Sequence, residues 1–220
     1  MTTQPRRELA SQGFSLVELL LALGLGLTLS AAMLRLLLGS SDTSQAISRW
    51  MRETSVQQRA IALLEHDLRT AQQISPDPLH DHHACPLSGR LPVLHLSLAS
   101  GSVTWSIGAP PSGIWRGQVL MRCGPAYRID GTMATESSAQ NRVVMDGLSA
   151  QPRPWSNCGG KLNRSLSKPI DLAGSSSRSF SACLDRNGAL LAVRLLQDLP
   201  LAGRRPHVIS QEAVLAAGSR

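Results

Sequence analysis

From Phe14 to Leu38 the chain runs through 25 residues with only two charged side chains, Glu18 and Arg35. As a helix that run rises about 37 Å at ~1.5 Å per residue, enough to cross a hydrocarbon core of roughly 30 Å. Arg6 and Arg7 on the short N-terminal side orient that end toward the cytoplasm by the positive-inside bias. Arg35, near the far end, can snorkel to the headgroups. The rest of the chain is therefore expected outside the cytoplasm. Glu18 is the anomaly. A charged side chain in hydrocarbon costs about 3 kcal/mol even on the lowest insertion scales, so a carboxylate there needs a partner. The nearest one is a positive charge created at Phe14 if the chain is cut after Gly13.

Two other readings of the run compete. One is a secretory signal cleaved after Ala32, with Ser30 and Ala32 as the small residues. Glu18 argues against it, since nothing in a discarded apolar segment needs a carboxylate. The other is a single-pass anchor that is never processed. Gly24 and Gly26 each cost roughly 0.5–1 kcal/mol relative to Ala in a helix, so they mark a place to bend or a close helix–helix contact.

After a possible break at Gly39-Ser40-Ser41-Asp42, helical periodicity resumes. Ile47, Trp50, Thr54, Gln57, Ile61, Leu64, Leu68 and Ala71 recur at spacings of three and four, while Arg49, Arg52, Glu53, Arg59, Glu65 and Asp67 lie off that stripe. Pro76 and Pro78 end the pattern, which predicts helix to about Ile74. From Pro92 the period drops to two. Leu94 to Leu98 and Val103 to Ile107 read as a hairpin joined by Ala99-Ser100-Gly101. Gln118–Arg122, Ala126–Ile129 and Asn141–Met145 read as short strands, and 146–177 as a long irregular region. Ser179–Asp185 and Ala189–Leu196 flank Asn187-Gly188, a pair that predicts a type I′ hairpin turn. His207–Val214 reads as a last strand. The expected organisation is a leader over 1–13, a membrane helix over 14–38, its amphipathic continuation over 39–75, and a β-rich domain over 76–220. The fold class is α+β, a long N-terminal helix packed on an antiparallel sheet.

Four cysteines, Cys85, Cys123, Cys158 and Cys183, all follow the apolar run. An even count outside the cytoplasm points to two disulfides; of three pairings, the two local loops Cys85–Cys123 and Cys158–Cys183 are preferred. His80-Asp81-His82-His83-Ala84-Cys85 has donors for zinc or copper, although a solvated polar loop is the simpler reading and no metal ligand is assigned. Residues 1–13 carry two arginines and one glutamate, so the remainder holds 20 basic and 14 acidic residues. That excess suits a polyanion such as DNA, or simply an arginine-rich surface. Trp105 on an alternating strand reads as core. Trp115 beside Arg116, and Trp155 near Arg153, offer a stacking, basic surface for single-stranded nucleic acid. No nucleophile elbow, phosphate loop, zinc-protease motif or dinucleotide fingerprint occurs, and Asp171, Asp185 and Asp198 are scattered. Neither catalytic residues nor a cofactor are expected, and the chain is read as a non-enzyme.

Gly13-Phe14-Ser15-Leu16-Val17-Glu18-Leu19-Leu20, behind a short basic leader, resembles the class III signal of type IV prepilins and type II secretion pseudopilins. The resemblance implies cleavage after Gly13 and N-methylation of Phe14 by a prepilin peptidase/N-methyltransferase. It also implies that Glu18, the fifth mature residue, meets the Phe14 amine of a neighbouring subunit. The remainder is similar, more loosely, to W-type minor pilins and J-type pseudopilins. That likeness rests on Leu63-Leu64-Glu65-His66-Asp67-Leu68-Arg69, Val143-Val144-Met145-Asp146-Gly147-Leu148 and Leu190-Leu191-Ala192-Val193-Arg194-Leu195. Such a chain is expected to be a minor pilin that primes pilus assembly from the inner membrane, its globular domain in the periplasm. Its partners would be other major and minor pilins and an inner-membrane assembly platform. A type II secretion pseudopilin and a DNA-binding pilin are the alternatives; the tip-most pseudopilin type generally lacks the glutamate.

Overall fold

The computed structural model describes residues 15–99, 101–134, 136–156, 158–162, 169–199 and 207–218, with backbone only for 37–43 and Gly159. The leader, Gly13 and Phe14 lie outside the described residues. Two compact units divide the chain, Met1–Ser48 and Arg49–Arg220.

The first unit is the N-terminal part of helix α1, whose full bounds are Leu16–Thr70. The backbone is helical straight through 39–42, so of the two readings of Gly39-Ser40-Ser41-Asp42, a break or a helix that simply continues, the second holds. Leu16–Leu36 is a 21-residue stretch with mean hydropathy 2.0 and none of it buried. It is long and apolar enough to span a membrane. A Cβ added at Gly24 or Gly26 would meet nothing within 4 Å, so neither glycine is required by a contact in this chain.

In the second unit the end of α1 packs on an antiparallel sheet. Its strands are β1 (Gln73–Ile74), β2 (Leu91–Leu98), β3 (Gly101–Gly108), β4 (Gln118–Gly124), β5 (Gln140–Leu148), β6 (Ile170–Asp171), β7 (Phe180–Leu184), β8 (Leu190–Leu199) and β9 (His207–Ala216). They lie in the order β1-β2-β3-β4-β5-β8-β7-β6. All pairs are antiparallel, and β9 runs along β8 from Leu190↔Ala216 to Leu199↔His207. Since β8 also pairs with β7 and, at Gln197↔Leu148, with β5, those two share its other edge. A four-residue helix, α2 (Cys158–Lys161), and a 3-10 turn over Leu172–Ser177 fill the irregular region.

The helix stops at Thr70, four residues short of the predicted end, because Gln72 already donates to the Ser97 carbonyl and begins the β1 ladder. The freed Leu68 carbonyl accepts from Ala71 at 3.2 Å and from Gly218 at 3.1 Å, so the far end of the chain helps cap α1. Ala126–Ile129 is not a strand of the sheet. Tyr127 bridges Met133 around Asp130-Gly131, and this small loop folds on itself beside β4. The β7–β8 connection also departs from type I′. Asn187 does not have a positive φ, Gly188 does (φ 70°), and the Asp185 carboxylate accepts from Ala189 and Leu190. That carboxylate satisfies the turn amides, and one left-handed residue then suffices.

One core joins Leu64 and Leu68 of α1 to Leu94, Leu96, Trp105, Leu120, Phe180 and Leu195. A second, smaller cluster holds Trp155, Cys158, Leu162, Cys183 and Ala192. Cys183 and Ala192 are neighbours of core residues Ala182, Leu184, Leu191 and Val193 along the strands. Strand alternation therefore sets the second cluster on the opposite sheet face.

Candidate functional site

Glu18 lies in the first turn of α1, where the unsatisfied helix amides and the macrodipole favour a carboxylate. Leu16, Val17, Leu19, Leu20, Leu21 and Leu23 around it are all exposed. Among the described residues Glu18 makes no ion pair. One carboxylate among exposed apolar side chains is costly in hydrocarbon unless a cation meets it.

Farther along α1 the buried positions are Glu53, Gln57, Ala60, Leu64, Asp67 and Leu68. Glu53 and Asp67 thus sit on the inward face, contrary to the sequence expectation, while Ile47 and Trp50 of the expected stripe are exposed. The reason is supplied by the sheet. Asp67, with no exposed surface, accepts from Arg122 Nε at 2.8 Å and Nη2 at 2.7 Å, from Trp105 Nε1 at 2.9 Å, and from the Tyr127 hydroxyl. Arg122 spends a further N–H on the Pro125 carbonyl at 2.8 Å and lies over the Tyr127 ring. A buried ion pair is tolerable when further hydrogen bonds satisfy its polar atoms, and here both Asp67 oxygens and all three Arg122 nitrogens have partners. Burial pushes the Tyr127 phenol up, and the Asp67 charge pushes it further. For Arg122, burial acts downward but the Asp67 hydrogen bonds and charge hold the guanidinium above its usual range.

Two more polar tethers follow the same helix face. Glu53 accepts from Arg116 Nη2 at 2.8 Å and from the fully buried Gln197 at 2.6 Å. Arg116 in turn binds Asp146, its amide at 2.9 Å from the carboxylate. Gln57 donates to the Ile209 carbonyl of β9 at 3.4 Å. The signal for all three was present in the chain: Glu53, Gln57, Ala60, Leu64 and Asp67 are spaced by four, three, four and three. Reading acids as outward-facing hid it.

The structure pairs Cys85 with Cys123 and Cys158 with Cys183, with Cα separations of 6.0 and 6.2 Å. Cys85 therefore has no thiolate to offer a metal, and among the described residues no three His, Cys, Asp or Glu side chains converge as ligands. His80 instead contacts Asp77, and His83 packs against His95 over Thr104. Burial lowers the pKa of both His83 and His95, opposed by the nearby Asp81. Trp105 is core. Of the residues expected for an aromatic, basic surface, Trp155 is buried against Arg194 and Arg116 is engaged by Glu53 and Asp146, while Trp115 is half-buried. Comparison with family models, curated proteins and solved structures returned no match for this chain.

Proposed function

We propose that this chain is a minor subunit of a type IV filament, cut after Gly13, methylated at Phe14, and held in the inner membrane by α1 until it enters the assembly. In this reading Glu18 of one subunit pairs with the N-terminal amine of another. The attraction is strong because the surrounding dielectric is low, and an unpaired Glu18 penalises a subunit out of register. The domain from Arg49 onward then supplies the contacts that prime the filament. The observation that carries the proposal is Glu18 itself, one carboxylate among exposed leucines on a helix fit to span a membrane. Within the second unit, the polar tethers at Glu53, Gln57 and Asp67 fasten the end of α1 to its sheet.

The test is the intact mass of the chain recovered from membranes, with fragmentation of its N-terminus. A first residue of Phe14 carrying one methyl group is expected. A chain that begins at Met1, or after Ala32, overturns the proposal.

A further inference from the structure

Three arginines of the sheet domain are at least nine-tenths buried: Arg90, Arg122 and Arg194. Arg122 has the Asp67 carboxylate. Arg194 donates to the carbonyls of Arg153 and Ser176 and to the Ser181 hydroxyl. Arg90 has neither kind of environment. Among the described residues its one side-chain hydrogen bond is Nη2 to the Pro86 carbonyl at 3.5 Å, its Nε, like that of Arg194, has no partner, and no carboxylate reaches it. A buried cation without a counter-charge is costly.

The position is nonetheless a built one. Arg90 precedes β2 opposite the end of β3, and its stem lies against Gly108, where an added Cβ would fall 2.9 Å from the Arg90 Cγ. With φ at 154°, Gly108 is also a residue that an L side chain would strain. From β5, Asn141 donates its Nδ2 to the same Pro86 carbonyl at 2.9 Å, which fixes the amide with Oδ1 turned away. That oxygen is buried and unpartnered as well. Arg90 and Asn141 both line a cleft of about 610 Å³ whose other walls include Trp115, Pro110, Met121 and Val143. One cleft is thus lined by a guanidinium without a counter-ion and by an apolar, aromatic wall.

We propose that this cleft binds a segment of a partner polypeptide carrying an acidic side chain next to an apolar one. The carboxylate pairs with Arg90, and the apolar side chain covers Trp115 and Met121. A bare anion satisfies only the first of these and leaves the wall empty. Binding at this cleft is independent of the filament reading, because only residues of the second unit form it.

The test uses the full chain in detergent micelles and fluorescence anisotropy of two dye-labelled, end-blocked tripeptides, Leu-Glu-Leu and Leu-Gln-Leu. The acidic peptide is expected to bind about tenfold tighter than the neutral one, the margin between a charge-assisted and a neutral hydrogen bond. Added salt should shrink that margin. Asn141→Asp places a carboxylate in the wall of the site, so it should abolish the preference for the acidic peptide. Arg90→Met should abolish the preference without lowering the midpoint of the unliganded chain. Equal binding of the two peptides, no binding of either, or full competition by sodium acetate alone overturns the proposal. So does a fall in the midpoint of the unliganded chain in both variants, which would make Arg90 and Asn141 scaffold residues.

Discussion

Asp67→Asn is the perturbation that best examines how helix and sheet are held together. The substitution keeps the shape but removes the charge from a side chain with no exposed surface, leaving the Arg122 guanidinium, itself buried, without its counter-ion. An amide also turns an N–H₂ toward groups that are all donors: Arg122, Trp105 and Tyr127. Breaking a buried pair from one side costs about 3–5 kcal/mol. With a urea slope of about 2 kcal/mol/M, the unfolding midpoint should fall by roughly 1.5–2.5 M. Arg122→Met removes the stranded charge, so the double variant should lose less than the two single losses added together. Tyr127 provides a second readout, since it is the only tyrosine of the chain and its ionisation is visible by absorbance. Its phenol is raised by burial and by Asp67, so Asp67→Asn should bring its titration partway down toward the ordinary value of about 10. A folded-state pKa raised in this way contributes stability that is complete below about pH 10 and is lost as pH rises from there. A midpoint change below about 0.5 M, strict additivity of the two substitutions, or an unmoved Tyr127 titration refutes the reasoning.

Glu18→Ala should leave membrane insertion and leader removal intact while impairing incorporation into filaments; filament fractions in which the variant is as abundant as the native chain would count against the pairing. His95 is buried and its pKa lowered, so it favours the neutral form, and stability should decline as pH falls from about 6.5 toward its folded value. Since His83, Asp81 and His82 act on the same ring or its neighbour, His95→Gln should flatten that acid limb of a stability profile without abolishing it. Protein isolated without reductant should show no alkylatable thiols. Replacing Cys85 and Cys123 by Ser opens a loop of 38 residues, which on a chain-entropy basis costs about 4 kcal/mol, readable as a lowered urea midpoint.

The anchor helix and the two hairpins β2–β3 and β7–β8 were legible from the residues alone. Apolar runs and alternation are local signals, and they need no distant partner to be read. The same holds for Trp105, which sits at an inward position of a strand whose inward positions are otherwise aliphatic. The site was less legible. Glu53 and Asp67 obey the helical period of the buried face, yet charge made them look like surface. Only the arrival of Arg116, Gln197, Arg122 and Trp105 from strands or loops at least 38 residues away makes their burial favourable.

What the sequence by itself determined about this protein is therefore its locally encoded part: an apolar helix bearing one acid, the strand periods, and an even set of cysteines. What only the tertiary structure decided is where the polar groups go. It set that Trp155 is covered, that Asp67 is saturated with donors, and that Arg90 is buried with no counter-ion, and it chose the preferred pairing of the cysteines from the three open ones. The physical reason is that hydrophobic periodicity belongs to a segment, whereas the cost of burying a charge depends on partners that the fold alone brings within hydrogen-bonding distance.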